Sequence, residues 1–436
     1  MSSTPMDLDS GSGSSRANGT PSSSLNITRT LGNNVPSTTA TPEIIGKFAP
    51  TKLRLRRSSS SSITAITGQL TSFTAGATFN TPPDLSTWKG EIDIDLASNN
   101  EQLFKRDGRP HILSLDYDDP GELLMTSASD ETIQIYKVRE GKHDKQLLSK
   151  KYGVKLAKFT HTSSGIIYAS TKVNDAIRYL TTHDNSFVRY FDGHTDAVTC
   201  LAMHPGNDEF ISCSKDNTIR LWEAGTKNAI GSLHLNSPYL AAYDPSGEVF
   251  AVASPTAGQI LLYSRRYWDK KPISTFDIVE SCVFADADHV NNGWTKLEFS
   301  NDGKNILLGT NGGGHFLLDS FKGNMRAYLR KPEGGSSRLA PGEDRATNGG
   351  SSSSTTVESS GDVCFTSDGR YVIGGSGGSV VVWDTLGQVD GDKALDPIHK
   401  LDNDKRRAAV VAWSPRHNFF ATADQDLVMW LPHLDD

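Results

Sequence analysis

The stretch that most constrains the fold is 193–223, GHTDAVTCLAMHPGNDEFISCSKDNTIRLWE. It opens on Gly193-His194 and closes on Trp222-Glu223. Residues 197–203 and 210–214 alternate like half-buried strands. Pro205-Gly206-Asn207-Asp208 separates them with turn formers, and Lys215-Asp216-Asn217 makes a tight hairpin into a third run, Thr218 to Trp222. Asp216 can accept hydrogen bonds from turn backbone and from His194. His194 can reach a strand hydroxyl, Ser212, and that hydroxyl can take the indole N–H of Trp222. A buried imidazole and a buried indole need such partners. His194 with Asp216 also has the composition of a catalytic pair, but the spacing favours a network that stiffens one structural unit.

Weaker copies fill the rest of the chain. The position of Trp222 is taken in turn by Tyr136, Tyr179, Tyr263, Leu318, Trp383 and Trp430. Steps between these landmarks are 41–47 residues, with two longer ones padded by 284–293 and by the low-complexity segment 330–360. A GH start, a Trp-acid end and a period of about 40–45 residues are the signature of a WD repeat, one four-stranded propeller blade per unit. Seven units predict an all-β, seven-bladed WD-repeat β-propeller over 109–436. The last unit stops before a fourth strand, while 43–57 holds an orphan strand-like run, IIGKFAPTKLRLRR from Ile44. The expectation is that this N-terminal strand completes the last blade and closes the ring, removing an open edge.

Residues 1–42 are Ser, Thr, Gly, Asn and Pro with little to bury and read as a disordered tail; 58–108 reads as a low-complexity insertion. Ser58 to Ser62 follow Arg56-Arg57 and suit a basophilic kinase. Mean hydropathy is −0.42 and the isoelectric point about 6.0. A net charge of −7 disfavours direct binding of nucleic acid, which calls for a basic excess. Cys200, Cys213, Cys282 and Cys364 are far apart, lack zinc spacing and read as buried thiols of a reducing compartment. The start has neither an apolar signal run nor the glycine that myristoylation needs, and no stretch approaches the ~20 apolar residues of a membrane span, so a soluble intracellular protein is expected.

Chemistry is sparse. Gly309 to Phe316 has phosphate-loop glycines, but His315 and Phe316 stand where Lys and Ser/Thr are required; a hairpin is expected instead. GGSGGS at 374–379 is likewise expected to be a hairpin, so no GxSxG nucleophile elbow is expected, and no HExxH or paired CxxC occurs. Asp116, Asp118, Asp119, Asp244, Asp302 and Asp368 are expected at turns, capping backbone N–H groups. Residues expected to line the channel, such as Leu201, Ala202, Ala241, Ala242, Val411 and Ala412, are small or apolar, which argues against a propeller enzyme. No catalytic residue, cofactor or metal is expected. Lys172, Arg178, Arg189, Lys215 and Arg220 are candidates for a basic patch that binds a partner, a phosphopeptide among them, with a solvated face as the alternative.

Several stretches exceed a generic repeat: LLSKKYGVKLAKFTH (147–161), IIYASTKVNDAIRYLTTHDNSFVRYFDGH (166–194), EFISCSKDNTIRLWE (209–223), STFDIVE (274–280), LEFSNDGKNILLGTNGG (297–313) and LVMWLPH (427–433). Over 112–433 and the strand near 44–54 the chain resembles the WD-repeat subunit shared by COMPASS, a SET-domain histone H3 lysine methyltransferase complex, and the cleavage and polyadenylation factor. SKKYGV followed by DAIRYLTTHDN is the specific part. The resemblance implies a nuclear, non-catalytic scaffold in H3 lysine-4 methylation and in transcript 3′-end processing or termination. Its implied partners are the methyltransferase N-terminal region, other COMPASS subunits, cleavage factor subunits and the phosphorylated RNA polymerase II tail. A phosphopeptide-reading adaptor of another nuclear complex is the alternative.

Overall fold

The computed structural model describes residues 93–94, 110–286, 293–334, 361–403 and 407–431. They form seven sheets built on antiparallel meanders, two of which take in a strand from elsewhere in the chain. Blades 1 to 6 span 112–148, 155–191, 198–234, 240–277, 294–330 and 363–402; blade 7 spans 410–430. In blade 3 the four strands are Val198–Met203, Glu209–Ser214, Thr218–Glu223 and Gly231–His234.

Burial separates the strands of a blade by position. The second strands Gly165–Ala169, Asn305–Thr310 and Tyr371–Ser376 are buried at every residue. The outer strand Gly231–His234 alternates instead. A second strand is covered on both faces by the neighbouring blades, so it reads as a continuous small or apolar run. This corrects the half-buried reading of 210–214, where all five residues are buried. The hydroxyls placed there stay bonded, Ser214 donating to the Asp196 carbonyl at 2.8 Å.

First and second strands are joined by a recurrent tight turn. Gly121, Gly247, Gly303 and Gly369 have φ between 69 and 71°. Each donates its N–H three residues back at 2.8–2.9 Å. Only glycine takes that backbone region at no steric cost. Asp118 and Asp244 cap these turns from the side, as expected, accepting from Leu123 N (2.9 Å) and Val249 N (3.0 Å). Asp116 departs from that expectation and lies within the strand Ile112–Tyr117.

The ring closes through packing. First strands of successive blades touch around the axis, and that of blade 7 touches that of blade 1. Seven hydrophobic clusters sit between blades, one per seam. The closing seam packs Ile112, Leu124 and Tyr136 against Phe419, Ala421 and Met429. His111 Nδ1 meets Asp424 Oδ1 across it at 2.9 Å.

Two outer strands come from elsewhere in the chain. Asp93–Ile94 lies antiparallel on Leu427–Trp430 as the fourth strand of blade 7, pairing with Val428 and Leu427. It belongs to the segment read as an insertion; the strand expected at 43–57 and the tail 1–42 lie outside the described residues. Blade 5 gains a fifth strand, Ala394–Leu395, parallel to its outer strand Met325–Arg330. That strand is lent by the connection leading to the last strand of blade 6.

Candidate functional site

In blade 3 the turn before the first strand and the hairpin after the second bring His194 and Asp216 together, with Nδ1 2.9 Å from Oδ2. His194 Nε2 lies 2.7 Å from Ser212 Oγ, which accepts from Trp222 Nε1 at 2.8 Å. Asp216 is acceptor-only, so Nδ1 carries the imidazole proton and Nε2 accepts from the Ser212 hydroxyl. Burial would raise the Asp216 carboxyl, but the Thr218 hydroxyl, the Thr195 N–H and His194 hold it down at about 2. Burial lowers His194, against the pull of Asp216, and keeps it neutral. The two side chains are 1% and 6% exposed, so the pair is sealed from any substrate.

Register identifies the equivalent positions elsewhere. Trp222 faces Phe210, as Tyr136 faces Leu124, Tyr263 faces Phe250, Leu318 faces Ile306, Trp383 faces Val372 and Trp430 faces Phe420. In blade 7 the Trp430 indole donates to Thr422 Oγ1 at 3.0 Å. In blade 6 Gly374 stands where Ser212 does, and the Trp383 indole crosses to the Arg330 carbonyl of blade 5 at 3.1 Å. Blade 2 corrects the assignment of Tyr179: the residue facing Ile166 is Leu180. There Tyr168 takes the place of Ser212, and its hydroxyl meets Ser149 Oγ at 2.7 Å. A long side chain reaching a short one replaces a short one reaching His.

The distinctive residues 149–154 and 174–179 meet at the outer corner of blades 1 and 2. Thr171 N and Lys172 N donate to the Tyr152 carbonyl at 3.0 and 2.8 Å. Gly153 has φ +69°, and a Cβ there would lie 1.8 Å from Thr171 Oγ1. The Tyr152 ring covers the Arg178 guanidinium at 3.6 Å; Tyr190 lies 4.9 Å and Phe187 6.0 Å from it. Lys151 Nζ sits 5.0 Å from the Tyr152 ring. Hydrogen bonding from Lys151 lowers the Tyr152 phenol.

The five basic residues do not converge on one surface point. Arg178 is 2% exposed and donates to Asn174 Oδ1 at 2.6 Å. Lys172 is paired with Glu131. Arg189 donates to the Ala224 carbonyl, tying the outer strand of blade 2 to blade 3. Arg220 is half-buried beside Gly193. Lys215 is exposed on the hairpin between the second and third strands of blade 3.

The first strands also carry charge that the apolar reading missed. Lys158 donates to Asp116 Oδ1 at 2.7 Å, and Phe159 N donates to Oδ2 at 2.8 Å. Burial raises Asp116 despite Lys158. Lys296 pairs with Glu298 at 2.9 Å in blade 5. These are neighbouring ion pairs; the partners are 42 residues apart in the first and two apart in the second, and only the second could be read from local spacing. Among the described residues no group of three or more His, Cys, Asp and Glu is placed to hold a metal ion. The four cysteines form no disulfide and are buried.

A seven-bladed ring with this indole–hydroxyl–imidazole–carboxylate network defines a WD-repeat propeller, and the family model WD domain, G-beta repeat matches residues 185–223 and 352–384. Three relatives go further. Set1 complex component swd2 of Schizosaccharomyces pombe is 39% identical over 53% of this chain and 62% of its own length. WD repeat-containing protein 82 of Drosophila melanogaster is 34% identical over 78% and 96%. COMPASS component SWD2 of Saccharomyces cerevisiae is 33% identical over 72% and 88%. The chain belongs to the WD-repeat family that contains these proteins.

Proposed function

We propose that this chain is a non-catalytic WD-repeat subunit of a COMPASS-type complex, acting in the nucleus as a scaffold for histone H3 lysine-4 methylation. The observation that carries the reading is likeness to relatives named as COMPASS or Set1 complex components, over 88% of the length of one and 62% of the other. The physical state of blade 3 supports it: the His194–Asp216 pair is sealed and spends its hydrogen bonds inside the blade. A ring of seven rigid blades offers partner surfaces on its faces and rim, and it is there that a scaffold of this fold acts.

The test is affinity purification of the tagged full chain from nuclear extract, read by mass spectrometry and by H3 lysine-4 methylation after depletion. A SET-domain methyltransferase and its companion subunits are expected in the purified material. Their absence, with methylation unchanged on depletion, would sink the proposal. The same purification reads the finer partners implied by the resemblance, cleavage and polyadenylation factor subunits and the phosphorylated RNA polymerase II tail.

A further inference from the structure

The rim of the propeller offers two outer strands rich in apolar residues, and only one of them carries an added strand among the described residues. In blade 5, Met325–Arg330 has a register shift between Leu317 and Leu318 on its partner strand. Beyond it, Tyr328 and Leu329 receive Ala394 and Leu395 as a parallel fifth strand. Tyr328 N donates to the Lys393 carbonyl at 2.8 Å. In blade 2, Phe187–Phe191 has its register shift at the same place, between Tyr179 and Leu180. By register Arg189 corresponds to Ala327, Tyr190 to Tyr328 and Phe191 to Leu329. Yet blade 2 is a four-stranded sheet. Val188 and Tyr190 are 47% and 36% exposed. An uncovered apolar edge strand is a template for a further strand.

We infer that the outer strand of blade 2 takes a fifth strand from a partner protein, a short extended segment with apolar residues flanked by acidic ones. The apolar part follows from Tyr190 and Val188 at the edge. The acidic flanks follow from the cations around it, Lys151 beside Tyr152, exposed Lys150 and half-buried Arg189, which outnumber Asp184 and Asp192 at the two ends of the strand. The strand on blade 5 has a similar composition: around Ala394-Leu395 stand Asp390, Asp392 and Asp396 with one cation, Lys393, which donates to the Met325 carbonyl, and Arg330 pairs with Asp390 and Asp396 at 3.5 and 3.1 Å. The chain's own first 92 residues are a poor match, with eight Lys and Arg against five Asp and Glu. Backbone pairing supplies affinity in this mode of recognition, and alternate side chains supply selectivity. The inference concerns a site on the rim and does not depend on which complex the chain serves.

The experiment places a photo-crosslinking phenylalanine derivative at position 190 of the full chain, irradiates cells and maps the crosslinked residues by mass spectrometry. A crosslink to an acidic-flanked apolar segment of another protein is expected. Tyr190→Lys, with the derivative moved to position 188, and Lys151→Glu should each lower its yield about ten-fold, with the melting temperature within about 2 °C of the parent. Crosslinks to residues 1–92 of the same chain, to a second copy, or no more than at exposed Leu386 would overturn the inference. So would an unchanged yield in both variants. Co-purification of the SET-domain methyltransferase is scored in the same samples, so loss of the crosslink and loss of the complex are read separately.

Discussion

Blades 2 and 3 are neighbours of nearly equal length, and they solve the same problem with different side chains. Blade 3 joins its strands through His194, Asp216, Ser212 and Trp222, four side chains that point inward and are spent on one another. Blade 2 places Leu180 where the indole would be and Tyr168 where the serine would be. Its buried hydroxyl pair is Ser149 with Tyr168. Three aromatic rings, Tyr152, Phe187 and Tyr190, gather around Arg178 instead. A propeller can therefore keep a blade rigid by a polar network or by apolar packing, and a blade that uses packing has aromatic and cationic side chains left for its surface.

The sharpest way to break that comparison is to empty the equivalent positions. Trp222→Ala should destabilise by about 3–5 kcal/mol and Leu180→Ala by about 2–3 kcal/mol, both read by chemical denaturation. Equal losses would mean that the indole's hydrogen bond adds nothing to its volume. Next in size, His194→Ala should cost about 1–3 kcal/mol, because it leaves the buried Ser212 hydroxyl proton without its acceptor and takes one donor from Asp216, against about 1 kcal/mol for Ser149→Ala. Recovery of complex subunits per folded molecule should stay unchanged in His194→Ala. If recovery fell at unchanged stability, blade 3 would be a binding site and the contrast would collapse. Arg178→Met should cost about 1 kcal/mol through the lost ring stacking, and Arg178→Lys should not restore it, since an ammonium lacks the flat face.

The smallest effect near neutral pH is in titration. His194 has a folded pKa below 6.5 and Asp216 one of about 2, below 3.8. For both groups the unfolded chain binds more protons, so both contributions are present at high pH and are lost on acidification. The His194 part begins to fall below pH 6.5, and the Asp216 part falls between 3.8 and about 2. Melting temperature against pH should therefore show a shallower slope just below pH 6.5 in His194→Gln than in the parent. The Ser149–Tyr168 pair of blade 2 has no group that titrates in acid, so Ser149→Ala should leave the slope as it was.

The contrast also explains what could be read from the residues alone. Blade number and the network of blade 3 were legible because they rest on short-range spacing: a GH turn, an Asp in a hairpin, a Trp six residues on. Tyr179 was misassigned because adjacent Leu180 fits a buried position equally well, and the register shifts that displace it have no signal in composition. Burial of Arg178 was hidden because its cover, Tyr152, lies on the connection from blade 1. Asp116 looked like a turn residue until its partner, 42 residues away, was placed beside it. The pairing of Asp93–Ile94 with Leu427–Trp430 involves two residues, too few to carry a pattern.

The strand lent to blade 5 has a consequence in time as well as in shape. Besides their shared core, blades 5 and 6 are joined by the Ala394–Leu395 ladder, by the Trp383 indole on the Arg330 carbonyl, and by Lys331 Nζ buried against Asp362 Oδ2 at 2.8 Å. Opening one of them requires breaking bonds that hold the other. The amides of Tyr328, Leu329 and Val380 to Val382 should then exchange with solvent deuterium at one common, slow rate, as a single cooperative unit. Blades 2 and 3, joined by side-chain bonds from Arg189 and His161 and by no shared strand among the described residues, should open separately.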